Sequence, residues 1–196
     1  MMEKMSVRIV KATLLGGCFL TMLFSLSACG SLLEDPPKPE ITYGEFPFEL
    51  IYEVNGTKKS VQDTLICEFD GIGMNEGVLK YRKWKGHLAS GNSEIVIWEG
   101  KNREAININR VSEIAKTQKV FFDPGESAYY MGDIDYYDKD VEYPNFENKF
   151  PIIFYYEKFE DGEFYTGILE EDELLERFEI KLISWEHAPP IENTFK

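Results

Sequence analysis

Five apolar side chains at every second position, Phe46, Phe48, Leu50, Tyr52 and Val54, alternate with Pro47, Glu49, Ile51 and Glu53 and run into Asn55-Gly56. Period-two alternation ending in Asn-Gly specifies a β-hairpin with a two-residue turn. That turn sets Val54 opposite Thr57, Leu50 opposite Val61 and Phe46 opposite Leu65, so the apolar members of both strands share one face. Cys67 and Phe69 keep the parity of Leu65, which predicts an inward, unreactive Cys67 thiol.

The same reading predicts a second hairpin between residues 94–99 and 104–109, joined across Gly100-Lys101-Asn102-Arg103. Further strands are expected at 78–88, 119–122, 127–131, 152–159, 164–169 and 178–185. Only 171–177 reads as a helix, with Glu171, Asp172 and Glu173 in its first turn where the helix dipole favours acids. Many short strands, few helical turns and many aromatics predict an all-β chain forming one antiparallel β-sandwich-like domain, with an open β-barrel as the alternative.

The first residues follow a different pattern. Lys4, Arg8 and Lys11 stand against Glu3 alone, and 12–28 is uncharged and mostly apolar, too short for a comfortable membrane span. It closes on Leu26-Ser27-Ala28-Cys29, which resembles the lipobox of bacterial lipoproteins. The resemblance implies cleavage before Cys29 and a diacylglycerol on its thiol, often with a further acyl chain on the amine. Two or more chains hold a protein stably on a bilayer. The expected order is a signal peptide over 1–28, an anchor and proline-rich tether over 29–43, a β-rich domain over 44–188 and a tail over 189–196. The expected location is a membrane, lipid-anchored, facing outside the cytoplasm.

The chain carries 21 basic and 35 acidic residues, a net charge of −14. Loss of Lys4, Arg8, Lys11 and Glu3 with the signal leaves 18 against 34, a net of −16. Such a surface repels nucleic acid and anionic headgroups, which excludes a nucleic-acid partner.

Candidate chemistry is sparse. Asp133, Asp135, Asp138 and Asp140, followed by Glu142, offer hard oxygen ligands to a cation such as Ca²⁺, but an EF-hand places glycine where Asp138 stands and glutamate where Pro144 stands. A solvated acidic loop needs no metal. Tyr81, Arg82, Lys83 and Trp84 interleave rings with cations, as a single-stranded nucleic-acid or anionic-glycan surface does; lysines on an edge strand also discourage edge-to-edge pairing. The pairs Tyr129-Tyr130, Tyr136-Tyr137 and Tyr155-Tyr156 suit a sugar- or peptide-binding face, although in a strand one of each pair points inward.

His87 and His187 are the only histidines, and neither sits in a nucleophile-base pattern; His187 falls in what reads as a surface tail. Zinc motifs are absent, and no cofactor is expected. The expected function is therefore a non-catalytic, membrane-tethered binding domain for an envelope glycan, a peptide or a protein. The contrasting class, a hydrolase of envelope polymers, requires a concave site where carboxylates converge, or where His87 meets an acid.

Overall fold

Asn55 and Gly56 adopt positive φ angles of 50° and 74°, as a type I′ turn requires. They join β1 (Tyr43–Val54) to β2 (Thr57–Met74) in the register expected from the sequence: Val54 faces Thr57, Leu50 faces Val61 and Phe46 faces Leu65. All five alternating side chains of β1 are buried, with Leu65 and Cys67 of β2. The structure is a computed structural model that describes residues 34–74, 80–110, 112–133 and 150–196. The signal segment and Cys29 lie outside the described residues.

β3 (Lys80–Leu88) and β10 (Ile180–His187) flank the hairpin, giving a first sheet in the order β10-β1-β2-β3. A second sheet has the order β4-β7-β8-β9, from β4 (Ile95–Gly100), β7 (Thr117–Asp123), β8 (Ile152–Lys158) and β9 (Phe164–Leu169), all paired antiparallel. The inner faces meet through rings: Phe48 of β1 stands edge-on to Phe122 of β7 at 5.9 Å. Trp185 of β10 packs on both, at 5.4 and 5.6 Å. The result is an all-β, sandwich-like domain, and neither sheet closes into a barrel.

The chain divides into a small unit, Ile72–Tyr81 with the residues up to Pro37, and a large one, Lys38–Gly71 with Arg82–Lys196. In the small unit Lys80 Nζ lies 2.7 Å from Asp35 Oδ1. The sandwich core belongs to the large unit.

The second expected hairpin does not form. β4 pairs with β7, while β5 (Arg103–Glu104) pairs only with β6 (Ile114–Ala115), and Ile108–Arg110 turns as a 3-10 helix. The cause is the buried carboxylate of Glu157 on β8. It accepts the backbone N–H groups of Ile106 at 2.9 Å and Asn107 at 2.8 Å. Gln118, also buried, donates to the Glu104 carbonyl at 2.8 Å and to Glu157 at 3.2 Å. These bonds end the strand at Glu104 and leave β7 as the partner of β4.

The strand expected over 127–131 is instead α1 (Ser127–Tyr130), with Met131 N–H donating to the Ser127 carbonyl at 3.0 Å. Ala128, Tyr130 and Met131 are all buried, and a helical turn sends the adjacent Tyr130 and Met131 inward together, which strand alternation forbids. The expected helix is α2 (Glu171–Phe178), opened by a capping box between Glu170 and Glu173. The last residues run beside the start of the domain: Lys38 N–H donates to the Lys196 carbonyl and Glu40 N–H to that of Thr194, both at 2.8 Å.

Candidate functional site

The outward side chains of a sandwich normally alternate polar against the buried set. In one row of the second sheet they do not. On the inner side stand Val120 and Phe122 of β7, Ile153, Tyr155 and Glu157 of β8, and Leu169 of β9, all buried. On the outer side one register row crosses four strands: Val96 pairs with Phe121, Phe121 with Phe154, and Phe154 with Ile168. Every member is apolar, and Ile168 is 57% exposed.

A second aromatic pair extends that row. Tyr156 of β8 stacks with Phe164 of β9 at 5.8 Å, as Phe121 does with Phe154 at 5.6 Å, the planes inclined by 27° and 20°. Phe164 is 63% exposed. The rings lean face to face on one another across strands, so each pair closes one face of each ring against its neighbour. Val96, Phe121, Phe154 and Tyr156 are half-buried, while Ile168 and Phe164 are exposed at the β9 side; apolar side chains gathered on an outer face in this way mark interaction sites.

Charge lies at the margin of the row. Lys119 on β7 reaches Glu94, with Glu99 at 3.9 Å, and the Glu94 carboxylate beside it holds its ammonium above the usual range. Elsewhere on the same sheet's loops, Arg110 is ringed by Glu113 at 2.6 Å, Asp161 at 2.8 Å and Glu163 at 2.9 Å, and lies 4.1 Å over the Phe159 ring. Hydrogen bonds to Glu113 and Asp161 raise the Arg110 pKa further, and Arg110 in turn lowers that of Asp161.

Asp133, the first of the acidic candidates, meets Arg82 and Trp84 of the basic stretch. Asp133 is fully buried and receives the Arg82 guanidinium, Nε at 2.7 Å on Oδ2 and Nη2 on Oδ1, together with Trp84 Nε1 at 2.8 Å. Arg82 also lies 4.1 Å over the Phe195 ring. Lys83 pairs with Asp70 at 2.7 Å and holds that carboxyl below its ordinary range, while Tyr81 is half-buried. Asp135, Asp138 and Asp140 lie outside the described residues. Among the described residues, no group of three or more His, Cys, Asp or Glu side chains is arranged to hold a metal ion.

Cys67 is wholly buried, and burial pushes its thiol up to about 11. His87 is exposed on β3. His187 is not in a tail: it ends β10, stacked on Trp185 at 5.5 Å with Nδ1 3.4 Å from the Tyr130 hydroxyl. A cavity of about 440 Å³ opens between β5 and the end of α2, lined by Arg103, Glu104, Gln118, Glu176, Arg177 and Phe178 among others. Arg103 in its lining donates to the Arg177 carbonyl at 3.2 Å, with its guanidinium 5.2 Å over the Trp98 ring.

The outer row has a signature in the sequence that period-two alternation does not capture. Val120-Phe121-Phe122 and Ile152-Ile153-Phe154-Tyr155 are apolar at consecutive positions, which in a strand means apolar on both faces. Of the tyrosine pairs, Tyr155 points inward and Tyr156 outward, whereas Tyr129-Tyr130 belongs to α1. Tyr136-Tyr137 lies outside the described residues. No protein-family model, curated protein or solved structure matches this chain.

Proposed function

We propose that this chain is the precursor of an extracytoplasmic lipoprotein, lipid-anchored through Cys29, whose sandwich is a non-catalytic binding domain for a protein partner. The anchor rests on Leu26-Ser27-Ala28-Cys29 and the basic and apolar segments before it. The binding role rests on one observation, the apolar row Val96-Phe121-Phe154-Ile168 on the outer face of the second sheet.

The chemistry of that row selects the class of partner. Glycan recognition uses ring faces open to a sugar, and here Phe121 with Phe154, and Tyr156 with Phe164, each have one face occupied by the other ring, which leaves less open ring surface for a sugar. A net charge of −14 disfavours anionic lipid and nucleic acid. The partner that fits is a protein with an apolar patch and a basic rim. Hydrolysis has less support: where carboxylates gather around Arg110 (Glu113, Asp161 and Glu163) and around Lys119 (Glu94 and Glu99), each is paired with that cation.

Two measurements test the reading in cells. Membrane fractionation of wild type and Cys29→Ala checks the anchor: the variant is expected in the soluble fraction, and equal retention of both overturns lipidation. A photoreactive phenylalanine analogue in place of Phe154 is expected to yield one discrete heterologous polypeptide adduct. The same analogue at Ser60, on the other sheet, should yield none. An adduct at both sites, or a polydisperse glycan adduct at Phe154, overturns the protein-binding reading.

A further inference from the structure

β9 is an edge strand with an unguarded edge. Natural edge strands carry charge, proline or bulges that block pairing with another chain. Three of the four edges of the two main sheets conform: β3 carries Lys80, Arg82, Lys83 and Lys85, β10 carries Lys181 and Glu186, and β4 carries Glu99 and a bulge near Ile97. β9 reads Phe164-Tyr165-Thr166-Gly167-Ile168-Leu169, with no charge, proline or bulge.

Its pairing with β8 fixes which backbone groups face outward. Phe159 N–H donates to the Glu163 carbonyl at 2.9 Å, so in the same antiparallel register Tyr165, Gly167 and Leu169 bond to β8. Phe164, Thr166 and Ile168 then aim their N–H and C=O groups at the open edge. Among the described residues nothing bonds to those six groups.

We infer that β9 pairs antiparallel with β9 of a second copy of this chain, joining two second sheets into one of eight strands about a two-fold axis at Thr166. The occupant is chosen by self-complementarity, which an isologous interface demands. Centred on Thr166, the register sets Phe164 of one copy against Ile168 of the other, both outward and both exposed. Glu163 falls opposite Leu169 of the second copy and Glu170 opposite Gly162, so neither flanking glutamate meets a like charge. The apolar rows of the two copies become continuous. This inference goes beyond the lipoprotein reading and depends on neither the anchor nor the partner.

Sedimentation of the full chain in detergent, at micromolar concentrations and above, should give the mass of two chains. Thr166→Pro deletes an outward N–H and leaves every bond to β8 in place; Ile168→Lys places a charge on the edge without altering the backbone. Each should return the mass to one chain, and the second keeps the test decisive if the first impairs folding. Thr166→Cys should form an intermolecular disulfide under mild oxidation, because directly opposed strand residues lie within disulfide reach. Ser60→Cys should not. A single-chain mass for wild type, a dimer that survives both edge variants, or a Thr166→Cys disulfide only to another protein would overturn the pairing.

Discussion

Arg82 holds Asp133 edge-on in the interior, Nε at 2.7 Å from one carboxylate oxygen and Nη2 on the other. The one basic stretch of this acidic chain and the start of its densest acidic stretch thus meet as a neutral pair, further bonded by Trp84. Asp133→Ala leaves a buried guanidinium uncompensated and is expected to cost about 3–5 kcal/mol. The double replacement Arg82→Met with Asp133→Leu removes both charges and should cost markedly less. Urea unfolding of the single and double variants measures the difference; equal losses would show that packing, not charge compensation, governs the site.

That pair shows where sequence reading stops. The β1–β2 hairpin was legible because its turn chemistry and alternation are local, both within residues 43–74. Asp133 and Arg82 are 51 positions apart, and nothing local distinguishes a carboxylate awaiting a cation from one awaiting a guanidinium. The expected second hairpin failed for the same reason, since Glu157, 51 positions beyond Ile106, takes the amides the hairpin would have used. The outer aromatic row was visible as runs of consecutive apolar residues, but such runs also describe strands buried on both sides.

Glu157 is the loop's anchor rather than an isolated buried acid. Glu157→Leu strands one donor of buried Gln118, at a cost of about 1–3 kcal/mol, and the half-buried amides of Ile106 and Asn107, which cost less because water reaches them in part. Glu157→Gln keeps one acceptor oxygen and should cost less than Glu157→Leu. Hydrogen exchange at Ile106 and Asn107 reports the anchor directly: protection should fall in both variants while that of β1 is retained. Unchanged protection at these two amides would rule the anchor out.

Gly167 sits beneath Tyr155, its cross-strand partner, and a Cβ there would lie 2.4 Å from the Tyr155 ring. The ring covers a residue that would otherwise weaken the strand, as aromatic side chains do for edge glycines. Gly167→Ala must therefore displace the buried Tyr155, at an expected cost of about 1–3 kcal/mol from overpacking. Tyr155→Leu frees the space, so the alanine should cost less when introduced into that background. Denaturant unfolding of the two single variants and the double variant closes the cycle. A Gly167→Ala cost that is the same with tyrosine or leucine at position 155 would contradict the contact.

Cys67 gives the fold an alkaline limit. Burial favours its neutral thiol and pushes the folded-state pKa from an ordinary 9.0 to about 11, against a partly opposing hydrogen bond from Ser127. A raised folded-state pKa stabilises the protein fully below the unfolded value, and that contribution is lost as pH climbs from about 9 to about 11. Two pH units correspond to at most about 2–3 kcal/mol. Buried Tyr52, Tyr130 and Tyr155 are shifted upward too, so alkaline melting alone does not isolate the thiol. Cys67→Ser supplies the contrast, because serine does not titrate in this range while the tyrosines remain. Thermal melts should show wild type well above Cys67→Ser at pH 7 and the gap narrowing as pH approaches 11. A gap that stays constant across that window would mean that the thiol is not held neutral by the fold.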